Sequence, residues 1–376
     1  MNVSILGAST PSTGELVRFE ELPVCVHGVQ FLSRGDLVAL AGFTTVEFRS
    51  VWSGTKMHEL EVPKGVGPPQ ALAISPRGDR VLWASYRSGV HLLDARGRSL
   101  VGLALSADAE RYLSSESPGL GSFLGVSYPD GSYEDWSERY PPYQAVCDIA
   151  FSPTDDQCVA AYGQAYALVW DLTTGHLRVL LGREGSAEPP RRIYHVAWSP
   201  DGRYVMTRDD RGTMKLWDVE TRDEVLSVEA PHDPRPSGVD RPDDMPAALS
   251  FAGGIGAIAF SPDSRHLVAG DGEVVRVWSV QTGRLVATWV GHGARHPLLG
   301  CYEGAPRIRR VRFSASGERA LTVGVDSALR VWDVPSGREI WSTVPDPCCI
   351  DHGDLSPDGT HVVWAGCPGV RIYEVG

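Results

Sequence analysis

Short apolar runs alternate with turn-forming residues along nearly the whole chain, at an almost constant interval. Seven similar segments each carry an apolar residue, a serine and a turn: "FLSRGD" (31–36), "AISPRGD" (73–79), "AFSPTDD" (150–156), "AWSPDGR" (197–203), "AFSPDSR" (259–265), "RFSASGE" (312–318) and "DLSPDGT" (354–360). A landmark follows each serine at a nearly constant distance, at Phe48, Leu93, Trp170, Trp217, Trp278, Trp332 and Tyr373. Proline, aspartate and glycine favour tight reversals, so the pattern predicts repeated units of short β strands.

Each unit is predicted to contain four antiparallel strands, here called a, b, c and d. Another turn and strand follow each landmark, as in "LTTGHLRVLL" at 172–181. A four-stranded sheet of this size cannot bury its faces alone, so successive sheets should stack and close into a ring. We therefore predict an all-β fold, a seven-bladed β-propeller of four-stranded antiparallel blades that forms a single domain over residues 1–376.

The last unit has only three strands, which raises the question of how the ring closes. Residues 12–22, "STGELVRFEEL", have the form of a d strand, so we expect the N-terminal strand to complete the last blade. The alternative is eight blades, because "ALSADAERYLSSE" (104–116) resembles another signature. The stretch from Leu93 to Ser106 is too short to hold the intervening strands. We therefore interpret 106–143 as an elaboration or a degenerate blade.

Three units end strand c with a Trp-Asp pair at the same distance from the signature serine, at Trp170-Asp171, Trp217-Asp218 and Trp332-Asp333. In this respect the chain resembles WD-repeat β-propellers, and the resemblance covers nearly its whole length. It implies a surface that contacts peptides or protein domains. The family's Gly-His pair occurs clearly only at Gly291-His292. We therefore expect the hydrogen-bonded network of that family to be absent from most blades, and stability to depend mainly on apolar packing.

The lengths of the connections predict where a partner binds. In an antiparallel blade the a–b and c–d turns lie on one rim, and the b–c and d–a connections lie on the other. The long insertions, at 106–143, 230–256 and 291–308, all fall in d–a connections. Long loops on a rigid scaffold are common binding sites, so that rim is the predicted partner face.

The candidate contact residues belong to the insertions or to strand ends on the same rim. They are Tyr86, Arg87, Tyr128, Tyr133, Trp136, Tyr162, Gln164, Arg208, Asp209, Asp271, Arg307 and Arg309. Aromatic residues among charges resemble interface anchors, but they could equally cover the side of the propeller. Arg310 and Arg312 either project from strand a as a solvated face or anchor an acidic peptide or phosphate.

Charge and composition narrow the class of partner. The net charge of −12 disfavours nucleic acid and anionic membranes. There is no apolar run long enough to span a bilayer and no recognisable export signal. The seven cysteines lack metal-type spacing, which favours a reducing cytoplasm. All but three of the 35 basic residues are arginine, which suggests a GC-rich, bacterial genome.

Catalytic chemistry finds little support in the sequence. It contains no G-x-S-x-G, P-loop, H-E-x-x-H or paired C-x-x-C motif. His292 and His296 lie close in sequence, but in a loop without helical spacing, and Asp354 is interpreted as a turn residue that binds its own backbone. We predict a non-catalytic scaffold or adaptor that binds a protein or peptide and needs no metal or cofactor. The alternative is a propeller enzyme or small-ligand sensor with its site at the channel mouth.

Overall fold

The structure is a computed structural model, and all of its regular elements are β strands within the residues it describes. Those residues are 15–19, 26, 28–42, 44–62, 69, 71–75, 77–85, 89–94, 99–103, 125–127, 133–135, 146–162, 166–182, 193–209, 212–228, 258–271, 274–290, 292, 308–324, 326, 328–343, 350–366 and 369–376. The strands form seven four-stranded antiparallel sheets and one two-stranded sheet.

The first three blades follow one another along the chain, with strands a to d in order. Blade 1 consists of β2 (Gly28–Phe31), β3 (Leu37–Ala41), β4 (Thr45–Ser50) and β5 (Lys56–Glu61). Blade 2 consists of β6 (Ala71–Ile74), β7 (Arg80–Ser85), β8 (Gly89–Asp94) and β9 (Ser99–Leu103). Blade 3 consists of β12 (Val146–Phe151), β13 (Gln157–Tyr162), β14 (Tyr166–Asp171) and β15 (Leu177–Gly182).

The next three blades repeat the same order. Blade 4 consists of β16 (Ile193–Trp198), β17 (Tyr204–Asp209), β18 (Met214–Asp218) and β19 (Glu224–Val228). Blade 5 consists of β20 (Ile258–Phe260), β21 (His266–Asp271), β22 (Val274–Ser279) and β23 (Leu285–Val290). Blade 6 consists of β24 (Ile308–Phe313), β25 (Arg319–Gly324), β26 (Leu329–Asp333) and β27 (Arg338–Ser342).

The seventh blade combines the two ends of the described chain. It consists of β28 (Ile350–Leu355), β29 (His361–Gly366), β30 (Gly369–Glu374) and β1 (Glu15–Arg18). Strand β1 pairs antiparallel with β30, with Arg18 opposite Arg371. The predicted closure by an N-terminal strand is therefore confirmed.

The prediction of seven blades rather than eight is also confirmed. Between blades 2 and 3 the described residues form a two-stranded hairpin of β10 (Gly125–Ser127) and β11 (Tyr133–Asp135). This hairpin is separate from the neighbouring sheets in the strand order. The region 106–143 is therefore not an eighth four-stranded blade within the described residues.

The serine of each signature explains why the a–b turns are alike. In blade 4, Ser199 Oγ accepts a hydrogen bond from the backbone N–H of Tyr204 at 2.8 Å and donates one to Asp201 at 2.5 Å. The third residue after the serine position has positive φ, a conformation that favours glycine. Those residues are Gly35, Gly78, Asp155, Gly202, Ser264, Gly317 and Gly359. The recurring motif therefore stabilises a tight reversal between the first two strands.

Blade 1 differs by one residue from the sequence-based alignment. Gly35 donates its backbone N–H to Leu32, as Gly202 does to Ser199, so Leu32 rather than Ser33 is the counterpart of the signature serine. In strand c, Arg49 pairs with Val38, whereas Trp217 pairs with Val205 in blade 4. The landmark of blade 1 is therefore Arg49 and not Phe48. The first signature has its serine, Ser33, one residue after the turn position that serine occupies in the other six blades.

Apolar packing between neighbouring blades forms the core. Seven clusters of buried side chains are present in the described residues, and each joins two adjacent blades. The cluster between blades 7 and 1, for example, joins Ile372 to Phe31 and also includes Phe19, which follows β1. Because seven interfaces connect seven blades, the ring is closed.

A second contact closes the ring near its axis. The a strands of neighbouring blades contact one another, which places them innermost. Asp354 of β28 is 4% exposed, and its Oδ2 accepts a hydrogen bond from the backbone N–H of Phe31 in blade 1 at 2.7 Å. Its Oδ1 lies 3.4 Å from Nε of Arg312 in blade 6. Asp354 therefore joins three blades, and its interpretation as a turn residue was wrong.

We expect the acceptor on Asp354 to matter more than its charge. Asp354→Asn keeps an oxygen for the Phe31 N–H and should cost about 1 kcal/mol, whereas Asp354→Leu leaves that buried donor unpaired and should cost about 3 kcal/mol. The free energy of unfolding in urea at pH 7 measures both. Equal losses in the two variants would contradict this assignment.

Candidate functional site

The strand pairing brings the predicted contact positions to one rim. Tyr162, Asp209 and Asp271 are the last residues of strands b in blades 3, 4 and 5. Each b strand runs antiparallel to its a strand, so these residues lie beside the beginnings of the a strands, as Tyr162 does beside Val146. We call this side, which holds the b–c and d–a connections, the inserted rim.

Two further candidates lie in described strands. Arg309 is the second residue of β24, and its half-buried side chain lies at the same rim. Tyr133 begins β11 of the hairpin. Six candidates lie outside the described residues, and so do most of the three insertions; these candidates are Tyr86, Arg87, Tyr128, Trp136, Gln164 and Arg307.

Arg208 and Asp209 have structural contacts. The Arg208 side chain is buried, and its Nη1 donates a hydrogen bond to the carbonyl of Gly270 in blade 5 at 2.8 Å. Asp209 is also buried, and its Oδ1 accepts from the backbone N–H of Thr213 at 2.8 Å, within the b–c turn. Arg208 therefore joins blades 4 and 5, and Asp209 stabilises the b–c turn at this rim. Their strand position predicted the rim correctly, but strand position does not reveal burial.

A buried hydrogen-bonded chain organises the inserted rim at blade 6. His292, at the start of the third insertion, is 3% exposed. Its Nδ1 lies 2.9 Å from Oδ1 of Asp326 in the b–c turn, and its Nε2 lies 2.7 Å from Oγ1 of Thr322. Trp332 Nε1 donates to the same Thr322 oxygen at 2.8 Å. This chain ties the insertion to strands b and c of blade 6.

The donors and acceptors of this chain determine the tautomer of His292. Thr322 Oγ1 accepts from Trp332, so its own hydrogen is free to donate to Nε2, and Nδ1–H then donates to Asp326. Arg330 Nη1 lies 2.8 Å from the other Asp326 oxygen and 2.7 Å from Nδ1. Because a protonated Nδ1 cannot accept, Arg330 donates to Asp326. Every polar group of the chain is thereby satisfied.

The Gly-His signal in the sequence indicated this network, but the insertion hid how it connects. In blade 4, Trp217 Nε1 donates to Thr207 Oγ1 at 2.9 Å. The described residues supply no histidine beside that threonine. Blade 6 has the complete network, and blade 4 has only its Trp–Thr part within the described residues, which agrees with the expectation for blade 4.

Charged side chains also line the channel between the a strands. Arg310 of β24 is half-buried, and its guanidinium donates a hydrogen bond to the Val29 carbonyl at 3.5 Å. Burial lowers the pKa of Arg310 to about 10, and neighbouring Arg312 adds to the decrease. Burial likewise raises the pKa of Asp354, against the opposing effect of Arg312. The two arginines therefore face the channel and its buried carboxylate, rather than forming an outer solvated face.

The described residues were also compared with the requirements of other kinds of site. None of their His, Cys, Asp and Glu side chains gather in a group of three or more that could hold a metal ion. In the same part of the chain there is no helix with the length and apolar character needed to cross a bilayer. The described residues form two candidate sites, which are the inserted rim and the channel.

A known protein family matches the sequence of three of the blades. The family described as "WD domain, G-beta repeat" matches residues 183–218, 249–279 and 296–333. These ranges end at the last residues of β18, β22 and β26, the c strands of blades 4, 5 and 6. The matches therefore follow the repeat boundaries of the fold.

Several curated proteins are similar over about half of the chain. Nuclear distribution protein nudF of Aspergillus niger is 23% identical over 193 residues, which are 51% of this chain and 40% of that protein. Protein groucho of Drosophila melanogaster is 24% identical over 52% of this chain and 23% of its own length. WD repeat-containing protein 1 of Mus musculus is 30% identical over 50% and 34%, respectively. The chain thus matches well under half of each relative's length, and all three come from eukaryotes.

The buried chain at His292 predicts unequal effects of the same substitution in two blades. Thr322→Val removes the partner of both Trp332 and His292 and should cost about 2–3 kcal/mol. Thr207→Val removes the bond from Trp217 and only a long bond, 3.5 Å, to the Lys215 carbonyl, and should cost about 1 kcal/mol. Urea unfolding of the two isosteric variants gives the comparison. A smaller loss for Thr322→Val than for Thr207→Val would contradict the network.

Proposed function

This chain is a WD-repeat β-propeller protein, and on that premise we propose that it is a non-catalytic scaffold or adaptor that binds a protein or peptide on its inserted rim. WD-repeat relatives are typically protein-interaction scaffolds, which supports this class of function. We further propose a cytoplasmic location and a bacterial source, on the cysteine and arginine usage of the sequence.

The observation that carries the proposal is the contrast between the two rims. The a–b and c–d turns are short and internally hydrogen bonded, so they offer few variable residues. The d–a connections contain the three long insertions, and the third is tied to a rigid blade through His292. A rigid base beneath long loops is a favourable arrangement for recognition, because less conformational entropy is lost when a partner binds.

The charge of the molecule supports a protein partner over a nucleic acid. A net charge of −12 repels a phosphate backbone at long range. Arg309 lies at the rim, and Arg307 precedes it in the sequence at the end of the third insertion, so both contribute positive charge to this segment. Arginine binds carboxylates in a bidentate manner, so we propose that the partner presents acidic groups to this part of the rim.

A second candidate function follows from the channel. Arg310 contacts no carboxylate within hydrogen-bonding distance among the described residues, and its one hydrogen bond to Val29 is long. A guanidinium with unused donors suits a small anionic ligand, which would make the protein a small-ligand sensor. Stabilisation by metabolite anions that is lost in Arg310→Gln would favour this function over the scaffold.

Affinity capture with matched variants tests the scaffold proposal. The rim variant Trp136→Ala, Arg307→Ala, Arg309→Ala should lose a protein that the wild type enriches from its native lysate. The control Trp52→Ala, Arg34→Ala, Arg284→Ala changes the same residue types at exposed turns on the opposite rim and should retain it. Thermal melting establishes that both variants are folded. Equal retention by both variants, or no specific protein with the wild type, would overturn the proposal.

A further inference from the structure

Within the described residues, the joint between blades 5 and 6 lacks the direct bond between a–b turns that three other joints have. Across three other joints these turns are bonded directly. Arg77 pairs with Asp155 at 2.9 Å, the Asp201 N–H donates to Ser264 Oγ at 3.0 Å, and the Ala315 N–H donates to the Pro357 carbonyl at 2.7 Å. The turn at 261–266 of blade 5 and the turn at 314–319 of blade 6 are fully described, and no hydrogen bond joins them.

An open groove lies beside these two turns, which approach each other at Pro262 and Gly317 without a hydrogen bond. It has a volume of about 420 Å³, within the range of ligand-binding clefts. Its floor is apolar and comes from both blades; the residues are Val277, Ala287, Trp289, Phe313 and Val334. Phe313 is only partly buried against the core cluster of this joint, so the groove exposes part of the interface that other joints cover.

Trp289 lines this groove and carries a buried indole N–H. Its side chain is 3% exposed, and its ring stacks on Trp332 with 5.8 Å between the centroids. Its Nε1 is buried and has no acceptor among the described residues. A buried N–H without an acceptor is costly, and tryptophan usually finds one when buried.

Two carboxylates flank the apolar floor, one on each blade. Asp263 and Glu318 belong to the two facing a–b turns, and both are exposed. Neither forms an ion pair with a described lysine or arginine, whereas Asp155 and Asp218 in other turns do. The groove therefore combines an apolar base with negative edges and complements a ligand that carries both apolar and cationic groups.

The strand that borders the groove favours an extended ligand. Strand β23 is the outermost strand of blade 5, so only one of its edges is paired within the sheet. Its sequence, LVATWV, contains no charged residue, and Val286 on the groove side is 54% exposed. Charged residues commonly protect such edges from pairing. An unprotected edge beside an apolar groove suits the addition of an extended segment.

We propose that the groove between blades 5 and 6 binds an extended segment of a partner protein in which a bulky apolar side chain is adjacent to lysine or arginine. The apolar side chain occupies the floor against Trp289, and the cation pairs with Asp263 or Glu318. This site is on the opposite rim from the insertions, so it stands or falls independently of the scaffold proposal for the inserted rim.

The test uses short capped peptides and the full chain. One panel places Leu, Ile, Met, Phe or Trp between two lysines in a Ser/Gly background, and the matched panel replaces both lysines with glutamate. Indole ¹H–¹⁵N spectra report on Trp289, whose signal is identified by its absence from the Trp289→Phe spectrum. We expect at least one lysine peptide to shift that signal and to bind at least tenfold more tightly than its glutamate counterpart.

Two charge-reversal variants complete the test. Glu318→Lys should weaken binding of the lysine peptide at least tenfold, whereas Glu374→Lys makes the same charge change at an exposed glutamate of blade 7 and should leave it unchanged. The proposal is overturned if no lysine peptide shifts the Trp289 signal. It is also overturned if the two panels bind equally, or if both variants weaken binding to the same extent.

Discussion

Apolar packing between neighbouring sheets is the interaction on which the rest of the structure depends. Each blade has two faces, and each face is buried only by the next blade in the ring. The buried clusters accordingly draw their residues from two blades, as Leu82 of blade 2 and Trp170 of blade 3 do. Full burial of one such side chain contributes about 1.5–3 kcal/mol. A missing blade would expose two faces at once, so closure is a requirement of stability.

Closure explains where the chain places its buried polar contacts. Strand β1 completes blade 7 at the outside, while Asp354 bonds to blade 1 at the inside. Blade 1 itself carries Arg49 at the landmark position, and the side chain is buried with Nε 2.7 Å from Glu47 Oε2. A buried ion pair contributes less than an apolar ring of similar volume would, and its worth depends on both charges being present. The apolar or aromatic landmark of the other blades has no such dependence.

Much of the fold could be predicted from the sequence, because the repeat encodes it several times. The Ser-Pro turn sets strands a and b, and a tryptophan at a fixed distance from that serine sets strand c, so errors in one unit are corrected by the others. The prediction failed where the signature was weak. Ser33 lies one residue after the turn position that serine occupies in the other blades, and the alignment of blade 1 was shifted by one residue as a result.

The site was less predictable, because burial depends on neighbouring blades. Strand order placed Arg208 at the rim, but it did not reveal that its guanidinium is buried and donates a hydrogen bond to Gly270 of the next blade. Likewise Arg312 and Asp354 occupy the same position relative to the signature serines of adjacent blades. The sequence shows this shared position, but the two side chains meet only because the ring places the two blades side by side. The groove between blades 5 and 6 lies beside two facing a–b turns that are not joined by a hydrogen bond. No pattern within one repeat encodes this feature.

The joint between blades 5 and 6 connects the two rims through contiguous contacts. From Asp326 at the inserted rim, hydrogen bonds run through His292 and Thr322 to Trp332, whose ring stacks on Trp289 in the groove. Contact alone does not couple two sites energetically, since coupling requires an element with two arrangements. In this joint every member from His292 to Trp289 is buried, which favours one arrangement. The packing that closes the ring therefore holds the two rims in a fixed relation and lets each present its surface independently.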